Sequence, residues 1–219
     1  DDAPRSAVGR ATLPTLTFGC FFFDVDLDGW LDIFAANGHL DDQVELVQSR
    51  VNYAQRPQLF HNLGTGRFEE IAPDGSGLET PLVGRGAAYA DYDLDGDLDV
   101  VITSNGGPAR LLRNDGGNEN QMLRIQVEGS DSNRNGIGAR IEVTTDGDPQ
   151  WRLVKTGSSY LSQSELAVTF GLGRAQRANV RVVWPGGGVD DLGQVDAGQR
   201  LTVVEGSGVQ DATPIGPAQ

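Results

Sequence analysis

One cysteine, one methionine, one lysine and two histidines are all that 219 residues contain of these types. Each scarcity removes a class of chemistry. A lone Cys20 excludes an intrachain disulfide and a cysteine zinc cluster; among Phe21, Phe22 and Phe23 it reads as a small buried hydrophobe. Lys155 stands with 16 arginines spread along a chain of formal net charge -14, so no basic surface exists for a phosphate backbone, and nucleic acid is not an expected partner. The longest apolar runs, such as residues 20–23, are strand-sized and far below the roughly 20 residues that cross a bilayer. Membrane insertion is therefore not expected. No signal peptide opens the chain, which is also how a mature secreted protein would read.

Catalytic patterns are equally thin. His39 follows an Asn-Gly turn and His61 sits in a strand-to-turn phrase, and both read as structural. The hydroxyl-rich GSSYLSQSE at 157–165 lacks the G-x-S-x-G elbow and reads as strand-edge hydrogen bonding. Residues 133–135 read as a polar turn, and no Asn-x-Ser/Thr acceptor occurs. Trp151, Tyr160 and Trp184 are candidates for a sugar-stacking platform, although aromatics at this density more often serve core or rim. No acid/base carboxylate pair stands out beyond the aspartate-rich stretches, so the chain is not expected to be an enzyme.

What the chain does have is aspartate. DYDLDGDLD at 91–99 puts five carboxylates into nine positions. A strand would line them on one face, where like charges repel; a helix is disfavoured by Gly96, by the aspartates and by the period of two. A loop wrapped round a cation remains. Sliding the sequence by 67 residues aligns GCFFFDVDLDGWLDIF with GAAYADYDLDGDLDVV, matching Asp24, Asp26, Asp28, Gly29 and Asp32 to Asp91, Asp93, Asp95, Gly96 and Asp99. The shared D-x-D-x-D-G-x-x-D offers side-chain oxygens at positions 1, 3, 5 and 9. Position seven is Trp30 in one copy and Asp97 in the other, which suits a backbone carbonyl ligand. An all-oxygen set with water completing a shell of roughly six to eight fits calcium, one ion per loop and two in all; without His or Cys in either loop, zinc does not fit. An EF-hand would place Glu at position 12, where Ala35 and Ile102 stand. Two divalent ions would take the net charge from -14 to -10, still acidic.

Around each loop lie an apolar strand, an Asn-Gly turn (Asn37-Gly38, Asn105-Gly106) and a phrase of strand, turn and strand at 58–71 and 110–125. The first copy carries an insertion of about 15 residues around 39–55, a short helix or a long loop. From Met122 the texture becomes six alternating strands without aspartate loops, as in a small antiparallel sandwich or barrel. The expected fold is all-β: two propeller-blade-like calcium-loop repeats over 1–119, a β-sandwich or barrel over 120–206, and a flexible tail at 207–219.

FFFDVDLDGWLDIFAANG and DYDLDGDLDVVITSNGG resemble FG-GAP or VCBS repeats, the calcium-loop blades of integrin-α-type propellers. The stretch from NRNGIGARIEV through GSSYLSQSELAVTFGLG to VRVVWPGG resembles the ASPIC/UnbV domain that follows such repeats in secreted proteins, bacterial ones included. The likeness spans nearly residues 15–205. It implies an extracellular or cell-surface chain that binds calcium through the positions named and serves adhesion or matrix structure. A carbohydrate-active surface protein is the alternative.

Family members usually carry more repeats ahead of this point, and closed propellers use roughly four to eight blades. Two blades leave strand edges open. This chain is thus expected to be the C-terminal part of a longer protein, or a subunit whose open edges meet copies of itself in a homopolymeric fibre. Other extracellular proteins, and glycans, are the remaining expected partners.

Overall fold

The computed structural model describes residues 5–146 and 149–215. Its strands form four sheets, and no barrel closes among the described residues. The first sheet is a meander of β1 (Thr17–Phe23), β2 (Asp32–Asn37), β3 (Gln58–Asn62) and β4 (Phe68–Ile71). Alternation in β1 puts Gly19, Phe21 and Phe23 on a buried face and Cys20 and Phe22 on the other. Cys20, read from sequence as buried, is exposed for that reason: burial here follows the period of two, and Cys20 is out of phase with its aromatic neighbours. The insertion at 39–55 is mostly loop, with a single short helix, α2 (Val44–Val47), that buries Val44 alone. Ahead of the sheet a helix, α1 (Ala7–Thr12), starts on a Ser6 cap and packs near β4, its Ala11 carbonyl accepting from Gln58 Nε2 at 3.3 Å.

The second sheet holds β5 (Gly84–Ala90), β6 (Asp99–Ser104) and β7 (Arg110–Leu112). The two blades pack face to face on one core that includes Phe21, Phe34, Leu59, Val100 and Ile102. Phe21 stacks on Phe34 with ring centres 5.3 Å apart and meets Tyr89 of the second blade at 5.0 Å. Where β1 crosses β5 the backbones nearly touch, and a Cβ on Gly19 would lie 2.8 Å from both the nitrogen and the Cβ of Ala87.

The repeat breaks at its last strand. The segment after the Asn114 turn, which by alignment with β4 completes the second blade, instead becomes β8 (Gln121–Glu128) of the next sheet. Composition explains the departure. β4 reads FEEI and buries no residue fully, whereas Met122, Leu123, Ile125 and Val127 are all buried and need cover on both faces.

The remaining strands are β9 (Arg140–Thr144), β10 (Gln150–Leu153), β11 (Val168–Gly173), β12 (Arg177–Val183), β13 (Val189–Asp196), β14 (Gln199–Val204) and β15 (Gly208–Pro214). They form sheets in the order β10-β9-β12-β13 and β11-β8-β14-β15. The core between them draws Leu123, Ile125 and Leu201 from one sheet and Ile141, Val143 and Val180 from the other.

Three expectations need correcting. The sheets are not wholly antiparallel, because β14 runs parallel to β8. β13, VDDLGQVD, was not anticipated; as an edge strand it packs only two apolar side chains, Leu192 and Val195, in part against the core, so its acidic side chains mask a ladder partner of β12. The tail is not free over its first half: β15 pairs with β14 from Gln199↔Pro214 to Val204↔Gly208, held by backbone bonds that side-chain composition does not reveal. Residues 216–219 of that expected tail lie outside the described residues. The backbone bonds Gly198 N to Met122 O and Ile215 N to Gly198 O gather the starts of β8 and β14 and the end of β15 at one end of the sheet. No helix among the described residues is long and apolar enough to cross a membrane.

The Gly19 approach sets a test of the blade packing. Gly19→Ala is expected to cost about 1–3 kcal/mol in urea unfolding, because the atoms its Cβ would strike are mainly backbone. Unchanged stability would show that the blades can separate freely.

Candidate metal centre

Loops 24–32 and 91–99 join the first two strands of each blade and share one backbone path. Leu27 and Leu94 at position four have φ of 58° and 63°, and Gly29 and Gly96 at position six have φ of 98° and 106°. The left-handed turn at position six is why glycine stands there in both copies.

Position nine closes each loop. Asp32 accepts from Val25 N at 2.9 Å and Asn62 N at 2.7 Å, one bond per carboxylate oxygen. Asp99 accepts from Tyr92 N at 2.8 Å and Asn114 N at 2.9 Å in the same way. Each therefore staples the start of its loop to the turn after the blade's third strand. Asp28 and Asp95 accept from the backbone of position seven, Trp30 N and Asp97 N, at 2.8 and 3.2 Å. Asp24 is 1% exposed; its Oδ2 accepts from Gly29 N at 3.0 Å, while its Oδ1 is buried without a hydrogen-bond partner. Asp91 Oδ1 and Asp93 Oδ1 are buried and unsatisfied in the same way.

The carboxylate oxygens converge. Asp24, Asp26 and Asp28 bring ligand atoms within 4.8 Å of one another, and so do Asp91, Asp93 and Asp99. Position seven differs between the copies. Trp30 is exposed and leans on the Gly64 turn, whereas Asp97 is fully buried beside Gly117.

Four neighbours of the loops were missed from sequence. His61 Nδ1 lies 3.2 Å from Asp32 Oδ1 and 3.7 Å from Asp26 Oδ2, completing a third cluster of possible ligands. Arg113, its counterpart in the second repeat, places Nη1 3.9 Å from Asp93 Oδ2. Asn62 and Asn114 follow them and supply the staples described above. The available signal was the shared phrase QLFHN and RLLRN, which puts a nitrogen-bearing side chain and then Asn at the end of the third strand of each repeat once the insertion in the first is set aside.

Burial and mutual repulsion make these carboxyls hold protons. Asp24 is pushed up to about 8, mainly by burial, then by the charges of Asp28, Asp32 and Asp26, against the pull of the Gly29 N–H. Asp32 is pushed up to about 6 by burial and by Asp26, although Val25, Asn62 and His61 favour its charge. Asp28, Asp91 and Asp95 are also raised, burial leading in each. Buried oxygens without donors, in sets made only of oxygen around each loop's first position, are what a hard divalent cation satisfies.

Both loops abut the sandwich. Gly173 N donates to Leu27 O at 3.0 Å, and a Cβ on Gly171 would fall 2.2 Å from Asp24 Oδ2. Arg124 of β8 places Nη1 3.3 Å from Asp91 Oδ2 and pairs through both guanidinium nitrogens with Glu165. The GSSYLSQSE segment straps the blades, Ser159 Oγ accepting from Cys20 N and Ser164 Oγ from Tyr89 N at 2.9 and 3.1 Å. Trp151, Tyr160 and Trp184 are not brought together. Trp184 is buried with Nε1 on Asp190 at 2.8 Å, Tyr160 is exposed but packs edge-on against Phe18, and Trp151 is exposed beside the first loop.

Two aspartate-loop blades bonded to a strand sandwich define a class. Residues 24–102 match the FG-GAP-like repeat and residues 129–210 match the ASPIC and UnbV domain, so the chain is an FG-GAP-like repeat region followed by an ASPIC/UnbV domain. It is homologous to cartilage acidic protein 1: 30% identical to that of Mus musculus over 165 residues, 71% of this chain and 25% of the relative. The Homo sapiens and Xenopus tropicalis proteins are 28% and 27% identical over the same length. The chain thus spans about a quarter of the length of these relatives.

Two outcomes follow. An unfolded aspartate titrates near about 3.9, so in metal-stripped protein Asp24 and Asp32 bind protons more tightly folded than unfolded. Their contribution is fully present below about pH 4 and is lost as pH rises through about 6 and about 8. The melting temperature of metal-stripped protein is expected to fall between pH 5 and pH 8.5, and a flat or rising profile would contradict this. Arg124→Met, which leaves buried Asp91 and Glu165 without their cation, is expected to cost about 3–5 kcal/mol in urea unfolding. Adding Glu165→Gln should restore part of that loss.

Proposed function

We propose that this chain is a calcium-stabilised, secreted structural or adhesion module of the cell surface or extracellular matrix. One observation carries the reading: two loops of identical spacing and matching backbone path each bury a position-one carboxylate with an oxygen that no donor satisfies. Asp24, Asp26, Asp28 and Asp32 would hold one ion with the Trp30 carbonyl; Asp91, Asp93, Asp95 and Asp99 would hold the second with the Asp97 carbonyl. Calcium suits these sets better than magnesium, which demands a stricter octahedron and keeps more of its own water. Bound calcium would supply fixed positive charge where the chain has concentrated its own negative charge.

The extracellular placement is supported by relatives whose name sets an acidic protein in cartilage. The role is structural rather than catalytic. The loop carboxylates serve the cation sites, and Glu165 serves Arg124. Its partners are other extracellular proteins or further copies of itself, met through the outer blade strands β4 and β7, which pair with a neighbour on one side only among the described residues. Repeated head to tail, that contact would build a fibre.

At free calcium about 100-fold above the dissociation constant, each site is expected to add about 2.7 kcal/mol to stability. The melting temperature should rise with calcium and less with magnesium, and Asp24→Asn and Asp91→Asn should each remove part of the rise. Equal melting with calcium and with chelator sinks the reading. Sedimentation of the same samples tests assembly, monomers at all calcium concentrations counting against the fibre.

A further inference from the structure

A groove of about 950 Å³ runs between the first loop and the sandwich, walled by β1 and loop 24–32 on one side and by edge strands β10 and β11 on the other. Three large aromatic side chains open onto it: Phe22 and Trp151, each 57% exposed, and Trp30, 48% exposed. One exposed aromatic is ordinary; three lining one groove mark a surface built for contact. The ring of Trp30 is set by its contact with Gly64, where an added Cβ would lie 3.0 Å from Nε1.

The groove also gathers two cations that no salt bridge engages among the described residues. In a chain of net charge -14, its only lysine, Lys155, lines this groove beside Arg152. Arg152 donates only to neutral acceptors, Trp151 O at 2.9 Å and Gln150 Oε1 at 3.4 Å, and its guanidinium lies 5.5 Å from the Phe170 ring centre. Burial pushes its pKa down, against the pull of the Asp24 and Tyr89 charges nearby. The groove's own carboxylates are engaged elsewhere, Glu165 by Arg124 and Asp24 and Asp28 in the loop cluster. At the wall, Thr169, 8% exposed, buries a hydroxyl with no hydrogen-bond partner.

We propose that this groove binds an anionic polysaccharide, a run of sugar rings bearing carboxylate or sulfate groups. The apolar faces of the rings stack on Trp30 and Trp151, and the acid groups meet Arg152 and Lys155. An acidic peptide would match the charge. Strand addition along β10 is disfavoured, however, because the Trp151 carbonyl already accepts from Arg152. This inference goes beyond the calcium reading and depends on it only through loop 24–32, which carries Trp30.

Binding of oligogalacturonate, chondroitin sulfate oligosaccharides, neutral dextran oligosaccharides and poly-glutamate to the whole chain, followed by calorimetry with calcium, tests the proposal. Trp151→Ala and Lys155→Gln change exposed side chains, and unchanged melting will show that both variants remain folded. At least one anionic oligosaccharide is expected to bind, and each variant to weaken it about 10-fold, which is about 1.4 kcal/mol. The proposal is overturned if neither anionic sugar binds, if both variants bind like the parent, or if dextran or poly-glutamate binds equally well. The calcium melting shift is read separately in the same samples, so failure of the metal reading is distinguishable from failure of this one.

Discussion

Carboxylates crowded into nine residues repel one another, and burial sharpens that repulsion because water no longer screens it. The chain meets part of that cost with its own backbone. Backbone N–H groups neutralise the position-nine aspartates Asp32 and Asp99, converting them from liabilities into staples. The position-one aspartates Asp24 and Asp91 keep oxygens unsatisfied. Strand pairing of β1 with β2 and of β5 with β6 begins at the loop ends, Phe23↔Asp32 and Ala90↔Asp99, so the geometry of both blades rests on how that charge is held.

The same constraint reaches the sandwich. Loop 24–32 presses on Gly171, and Asp91 meets Arg124 of the first sandwich strand. Residues 113–120, with a 3-10 turn at Gly117–Glu119, are all that separate the last blade strand from β8, and Asn114 and Asn120 donate back to Val25 O and Asp26 O. A cation in either loop would therefore act on a region that belongs to blades and sandwich together, and the stability of one part is expected to track that of the other.

The aspartate loops were legible because their chemistry lies in contiguous spacing and occurs twice. The groups that complete them were not, because His61 and Asn62 lie at the end of β3 and Arg113 and Asn114 just past β7, and they reach the loops only after the sheets form. Strand alternation located six of the sandwich strands. It failed for β13 and β15, whose side chains are largely exposed and whose place is fixed by backbone ladders. The repeat itself misled at one point: QMLRI aligns with a blade strand, but its denser apolar content required cover that a blade edge does not offer. Position seven looked interchangeable in sequence, yet Trp30 faces a groove and Asp97 is sealed against Gly117.

The sandwich begins and ends at the same place. Met122, Gly198 and Ile215 are joined there by backbone bonds, and a Cβ on Gly96 of the second loop would sit 3.0 Å from Ile215 Cγ2. A unit whose first and last strands meet is a natural cassette, since it can be spliced into another chain at one point without spreading the flanking segments apart. In engineering, its junction would lie beside loop 91–99, so cargo joined after residue 215 would emerge next to that loop.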